Sequence, residues 1–212
     1  MADVPKPHPM QKYTPQAIVP ATQPMKKDEP KDVVMYQMGM MVDPKAKPLS
    51  DMVNDSVSYE MIESMLYTDL ALQVKHMGYE GHYIMYMHKA DCEFKERLDW
   101  IEYLDKVFDE HPSLMLHYES PGHFNSLHDV YMCLLEYYRF ASARFHMMLS
   151  MAHEAKMYHK ISVIHEALEK ATHTADDIAE KIDYYHKQDW NPELIRYRDM
   201  GYYEEAKRGR RW

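Results

Sequence analysis

SLHDVYMCLLEYYRFASARFHMMLSMAHEAKMYHKISVIHEALEKATHTADDIAEKIDYYHK, residues 126–187, runs without a glycine or a proline, and its apolar residues recur at intervals of three and four. That period belongs to a helix with one buried face. Two stripes cover the span: Leu134, Tyr137, Ala141, Phe145, Met148, Ala152 and Ala155, then Met157, Ile161, Ile164, Leu168, Ala171, Ala175, Ile178, Ile182 and Tyr185. They fall out of phase near residues 155–157, so the chain either turns there or rotates its buried face. A turn makes two helices of the span, paired as an antiparallel hairpin. Ser126 with Asp129 three residues on resembles a capping box at the start.

The same period extends upstream. A helix is predicted from Asn54 or Asp55 to about His76, with Ile62, Leu66, Leu70, Val74 and Met77 on one face, and Gly78 and Gly81 end or kink it. A second is predicted from about His82 to Asp109, with Met87, Ala90, Phe94, Leu98, Ile101, Leu104 and Phe108 as one stripe and His111-Pro112 as its stop. Ser113 to Gly122 reads as a connection. Downstream, Asn191-Pro192-Glu193 starts a short helix that ends near Lys207, ahead of the basic tail Arg208-Gly209-Arg210-Arg211-Trp212.

The first fifty residues differ in kind. Nine of the twelve prolines lie there, each fixing φ and removing a backbone donor, so this arm is not helical throughout. Within it Val33 to Val42 is apolar, and Val34, Met35, Tyr36, Met38, Met40 and Met41 read as an anchor for docking. The fold class expected is therefore all-α: an antiparallel helical bundle of about four long helices (51–188), an extended N-terminal arm (1–50), and a short C-terminal helix with its tail (189–212).

Composition narrows function. The formal charge is −9 and the residues after Ser50 are the acidic part, which does not suit a nucleic-acid binder. Two cysteines, Cys92 and Cys133, without short-range partners suit a reducing intracellular compartment, the cytoplasm or an organelle interior. No long apolar run marks a transmembrane segment or a secretory leader. With 6 glycines and no phosphate loop, nucleophile elbow or Cys-x-x-Cys pair, the sequence argues against an ordinary Rossmann, kinase or hydrolase enzyme.

For metal chemistry the chain offers a loop set, His117, Glu119, His123 and His128, beside a Ser-Pro-Gly turn able to gather them, although spacing alone sets no geometry. A second set is Glu180, Asp183 and His186, spaced for one helix face. The Glu-x-x-His motif of di-iron helical bundles does not occur anywhere. On the helix that starts at Ser126, Glu136, Arg139, His146, Ser150 and His153 form a stripe opposite the apolar one and read as a solvent face or second interface.

The 20 Met and 18 Tyr favour surfaces that repack against partners. The leading expectation is thus a non-catalytic helical accessory subunit, tied to other protein subunits of an assembly by the arm anchor and by Arg208, Arg210, Arg211 and Trp212, with no cofactor. The alternative is a metal-binding bundle, an oxidase or storage protein for iron, zinc or copper, with a metal ion as its cofactor. A third reading is a helical chaperone with a Met-lined groove.

Overall fold

The computed structural model describes residues 49–158 and 161–209, and these contain five helices and no strand. They are α1 (Leu49–His76), α2 (Glu80–Phe108), α3 (Leu127–Glu154), α4 (Ser162–His186) and α5 (Pro192–Lys207). The docking anchor Val34, Met35, Tyr36, Met38, Met40 and Met41, and the tail residues Arg210, Arg211 and Trp212, lie outside the described residues. Arg208 is exposed just beyond α5.

Helix ends follow local chemistry. Gly78, at φ +87°, lets Tyr79 N–H return to the Val74 carbonyl and closes α1. Asp109, at φ +55°, closes α2 ahead of Pro112. Ser126 Oγ accepts from Asp129 N–H at 3.2 Å and Asn191 Oδ1 from Glu193 N–H at 2.9 Å, as the capping patterns predict. The expected breaks near 155–157 and at Gly78 are both turns. Two starts differ from expectation: Asn54 lies inside α1 and Gly81 inside α2. Asn54 is spent elsewhere, since its amide both donates to and accepts from the backbone of Ser113, at 2.9 and 2.7 Å.

That contact begins a crossover. Residues 109–126 run along α1 from Ser113 at Asn54, through Tyr118 on Asp69 at 3.1 Å, to Gly122 and Phe124 on Gln73 at 2.9 and 2.7 Å. Backbone groups of Ser113, Gly122 and Phe124 in this strap are thereby bonded by α1 side chains in place of a sheet or helix. It delivers α3 to the far end of α1, so α3 descends antiparallel to it: Tyr67 meets Tyr138, and Ser56 meets Met148. The bundle is two helical hairpins, α1/α2 and α3/α4, joined by one long connection.

The core holds Leu66, Leu70 and Val74 of α1, Leu104 of α2, Leu134 and Met148 of α3 and Ile164 of α4, all at 2% exposure or less. Burying each such side chain contributes roughly 1.5–3 kcal/mol. The stripe expected on α2 is only half right. Met87, Phe94 and Leu98 face outward, at 36%, 42% and 51% exposure, whereas His82, Tyr86, Glu93 and Trp100 face inward. A rotation that buries Glu93 in place of Phe94 has to be explained by what Glu93 meets.

Helix α5 closes one end. His82, fully buried, bonds Asp199 through Nδ1 at 2.6 Å and Tyr131 through Nε2 at 3.1 Å, and the Gly81 and His82 N–H groups cap the same carboxylate. These bonds hold the Asp199 carboxyl below its ordinary value against the opposing effect of burial. Gly81 permits the approach, because a Cβ there would lie 1.9 Å from the Asp199 carbonyl oxygen. Gly81→Ala is expected to cost about 1–3 kcal/mol in urea unfolding. Gly201→Ala on α5, where nothing lies within 4 Å, is expected to be neutral or to stabilise by up to about 1 kcal/mol. Equal effects at the two positions would contradict this packing.

Candidate metal centre

On α1, Glu60 and Glu63 are three residues apart and share a face; on α2, Glu93 and Glu96 do the same. The antiparallel pairing of α1 and α2 turns both faces into the middle of the bundle. Glu60, Glu63 and Glu93 are 8%, 7% and 1% exposed, while the Glu96 side chain is less buried. One carboxylate oxygen each from Glu60, Glu93 and Glu96 lies within 4.8 Å of the others. The other two helices complete the shell. From α3, Tyr137 donates to Glu63 at 2.8 Å and Tyr138 donates to its other oxygen. From α4, Lys170 Nζ lies 2.5 Å from Oε2 of both Glu93 and Glu96.

Four acids around one lysine are crowded by like charge as well as desolvated. Burial, then the Glu93 charge, pushes Glu60 up to about 8, even though Trp100 Nε1–H donates to it at 2.8 Å. Burial, then each other's or Glu60's charge, raises Glu63 and Glu93 as well. Burial opposes the charge of Lys170, but Glu93, Glu63 and Glu96 outweigh it and hold the ammonium above its ordinary value. The cluster is therefore short of positive charge: it holds protons or takes a further cation. Its donors are all hard oxygens, the set that suits a hard divalent ion such as iron(II), manganese or magnesium.

A cavity of about 690 Å³ opens onto the cluster, and Glu60, Glu63, Glu96 and Lys170 are among its lining residues. Its lining is also aromatic: Trp100 stacks on Phe145, centroids 5.7 Å apart and 4° from parallel, and Tyr59, Tyr103 and Phe140 line it too. Arg144 also lines it and is buried, with its guanidinium donating to Ser56 Oγ at 2.8 Å and to the Met52 carbonyl, and lying over the Tyr59 ring. Burial lowers its pKa.

The ligand sets read from sequence lie elsewhere. His117 Nε2 and Glu119 meet at 3.1 Å on the exposed strap. His123 is exposed, and His128 packs edge-on against Trp190, centroids 4.8 Å apart, beside Asp129 at 3.6 Å. Glu180, Asp183 and His186 are exposed on α4, and Asp183 pairs with Lys187. Neither set forms a three-ligand group; among the described residues, Glu60, Glu93 and Glu96 do. Sequence reading missed them because a buried glutamate looks like a surface one. The available signal was the pair of Glu-x-x-Glu spacings, Glu60/Glu63 and Glu93/Glu96, on facing helices.

No protein-family model and no curated protein sequence matches the chain. Solved structures do. An open-pore ferritin from the archaeon Archaeoglobus fulgidus superposes with a TM-score of 0.67 at 12% identity, over 73% of this chain and 94% of that one. A humanized archaeal ferritin gives 0.67 at 11% identity, over 76% and 97%. A variant of PmFTN soaked in iron gives 0.60 at 15% identity, over 72% and 97%. The fold is that of the ferritin-like four-helix bundles.

This likeness overturns the expectation of a non-catalytic accessory subunit docked by its tails. The fold neighbours are ferritins, and a core that buries three glutamates carries a cost that plain scaffolding has no reason to bear. The findings favour the metal-binding alternative. No helix among the described residues is long and apolar enough to cross a membrane.

The raised carboxyls fix a sign for pH dependence. A group whose pKa is higher folded than unfolded holds its proton in the folded state, so its contribution is full below the unfolded value and is lost as pH rises through the folded one. For Glu60 that window runs from about 4.5 to about 8. Glu60→Gln, which stays neutral, is expected to gain on the wild type in metal-free urea unfolding between those limits, on the order of 1–4 kcal/mol. A constant difference across that range would show that Glu60 is not perturbed.

Proposed function

We propose that this chain is a ferritin-like metal-binding protein that takes up a hard divalent ion, with iron as its cargo, at Glu60, Glu93 and Glu96. The observation that carries the reading is the convergence of these three carboxylates, two of them buried, inside a fold shared with ferritins. Held there, the ion would supply positive charge to an acid cluster that otherwise retains protons.

The surrounding residues have separable parts. Glu93 and Glu96, one helical turn apart, present their oxygens from α2, and Glu60 faces them from α1. Trp100 fixes Glu60 by its indole N–H. Tyr137 and Tyr138 occupy both oxygens of Glu63, which keeps that carboxylate turned toward α3 as an outer support. The cavity beside Glu60 and Glu96 gives water and ions a route to the cluster.

Association with further subunits is part of the same reading. Outward-facing Met65 and Leu72 on α1, with Phe94 and Leu98 on α2, form apolar surface on the α1/α2 hairpin that suits burial against another subunit. A native mass several-fold above the 25.3 kDa of the chain is expected, and a monomer would remove this part.

The reading is tested by titrating the purified, chelator-treated protein with iron(II) under anaerobic conditions, following bound metal per chain. Saturable binding is expected in the wild type, weakened about tenfold or more by Glu93→Gln. No binding by the wild type, or equal binding by Glu93→Gln, would sink the assignment.

A further inference from the structure

We infer that Lys170 is a tethered competitor for the metal: its ammonium holds the space between Glu93 and Glu96, and a divalent ion enters only as the ammonium withdraws. This deepens the proposed metal-binding function and rests on it.

Position makes the two cations exclusive. Lys170 Nζ lies 2.5 Å from an oxygen of Glu93 and 2.5 Å from one of Glu96, which are two of the three converging ligands. Carboxylate oxygens bind small divalent ions at about 2.0–2.2 Å, so an ion shared by Glu93 and Glu96 takes the space the ammonium fills. Two positive charges at such a separation also repel strongly in a half-buried site.

The exchange has a route. The Lys170 side chain is 35% exposed and is itself part of the cavity wall, so its flexible stem carries the ammonium toward open space while the ligands stay in place. No compensating change in the core is needed, because the three carboxylates belong to α1 and α2 while the lysine belongs to α4. The lysine also explains how the site survives without metal: one positive charge is always at hand for Glu93, which is 1% exposed. Affinity is set by the difference between two cations rather than by the ligands alone. A divalent ion of modest strength fails against the lysine where a stronger one succeeds.

The test compares full-length wild type, Lys170→Met and Lys170→Arg, using manganese(II) and iron(II) as probes under anaerobic conditions. Lys170→Met is expected to bind manganese(II) roughly tenfold or more tightly than the wild type. Its metal-free form is expected to melt lower than the wild type, and saturating manganese(II) to raise its melting temperature more. Lys170→Arg, which keeps a cation, is expected to bind like the wild type or more weakly. A second measurement needs no variant: acylation of Lys170 by a water-soluble amine reagent, followed by mass spectrometry, is expected to be several-fold faster in the iron(II)-loaded wild type than in the metal-free protein. If wild type and Lys170→Met bind metal equally, or if loading leaves Lys170 acylation unchanged, the competitor role is overturned while the metal site stands. If neither protein binds metal, both are overturned.

Discussion

The structure turns on one electrostatic constraint: carboxylates buried in the centre of a bundle need positive charge, protons or both. Glu93 at 1% exposure cannot remain ionised without a close partner, and Lys170 from the opposite hairpin is that partner. Much of the architecture serves this arrangement. The inward turn of α2 that exposes Phe94 and Leu98 is the rotation that brings Glu93 to the middle. Tyr137 and Tyr138 sit where Glu63 requires donors, and Trp100 sits where Glu60 does. An all-apolar centre would be at least as stable, so the polar one is best understood through its chemistry.

The closed end of the bundle and its acidic centre are solved differently. At the closed end, α5 folds back and clamps the start of α2 through Asp199, His82 and Tyr131, with Gly81 removing the side chain that would block contact. Further along the bundle, beside the buried acids, lies the cavity, lined in part by Trp100, Phe145 and Phe140. The clamp is sealed and its polar atoms are paired among themselves; the cavity is open and its acids are not all matched by bases. Paired polar groups at the closed end and accessible charge beside the centre is the division expected of a bundle that positions a site.

Helix number, the hairpin turn near residue 155, both side-chain caps and the closing short helix were legible in the sequence, since each rests on spacing or on one residue's local chemistry. The centre was not. Hydrophobic periodicity assigns faces by apolar content, so on α2 it chose Met87, Phe94 and Leu98 over Glu93 and Trp100, and on α1 it passed over Glu60 and Glu63. A glutamate is buried only because another helix brings it a partner, and Lys170 lies 77 residues from Glu93 in sequence. Histidines in the strap drew attention as potential ligands, yet His117 and His123 are exposed there. Carboxylate pairs at a spacing of three on helices predicted to face one another would have been the better guide.

The division of the bundle into two hairpins also orders its assembly. Each hairpin closes over a short turn, whereas joining them requires the 109–126 strap to be laid along α1 from Asn54 to Gln73. Before that docking, the first hairpin carries the acids of the centre without Lys170, and the second carries the lysine without them. Local pairing is then opposed by repulsion within the first hairpin, which protons or the lysine of its partner relieve. The two halves are thereby made to fold as one cooperative unit, and a charge that serves the finished site also selects against a half-built one.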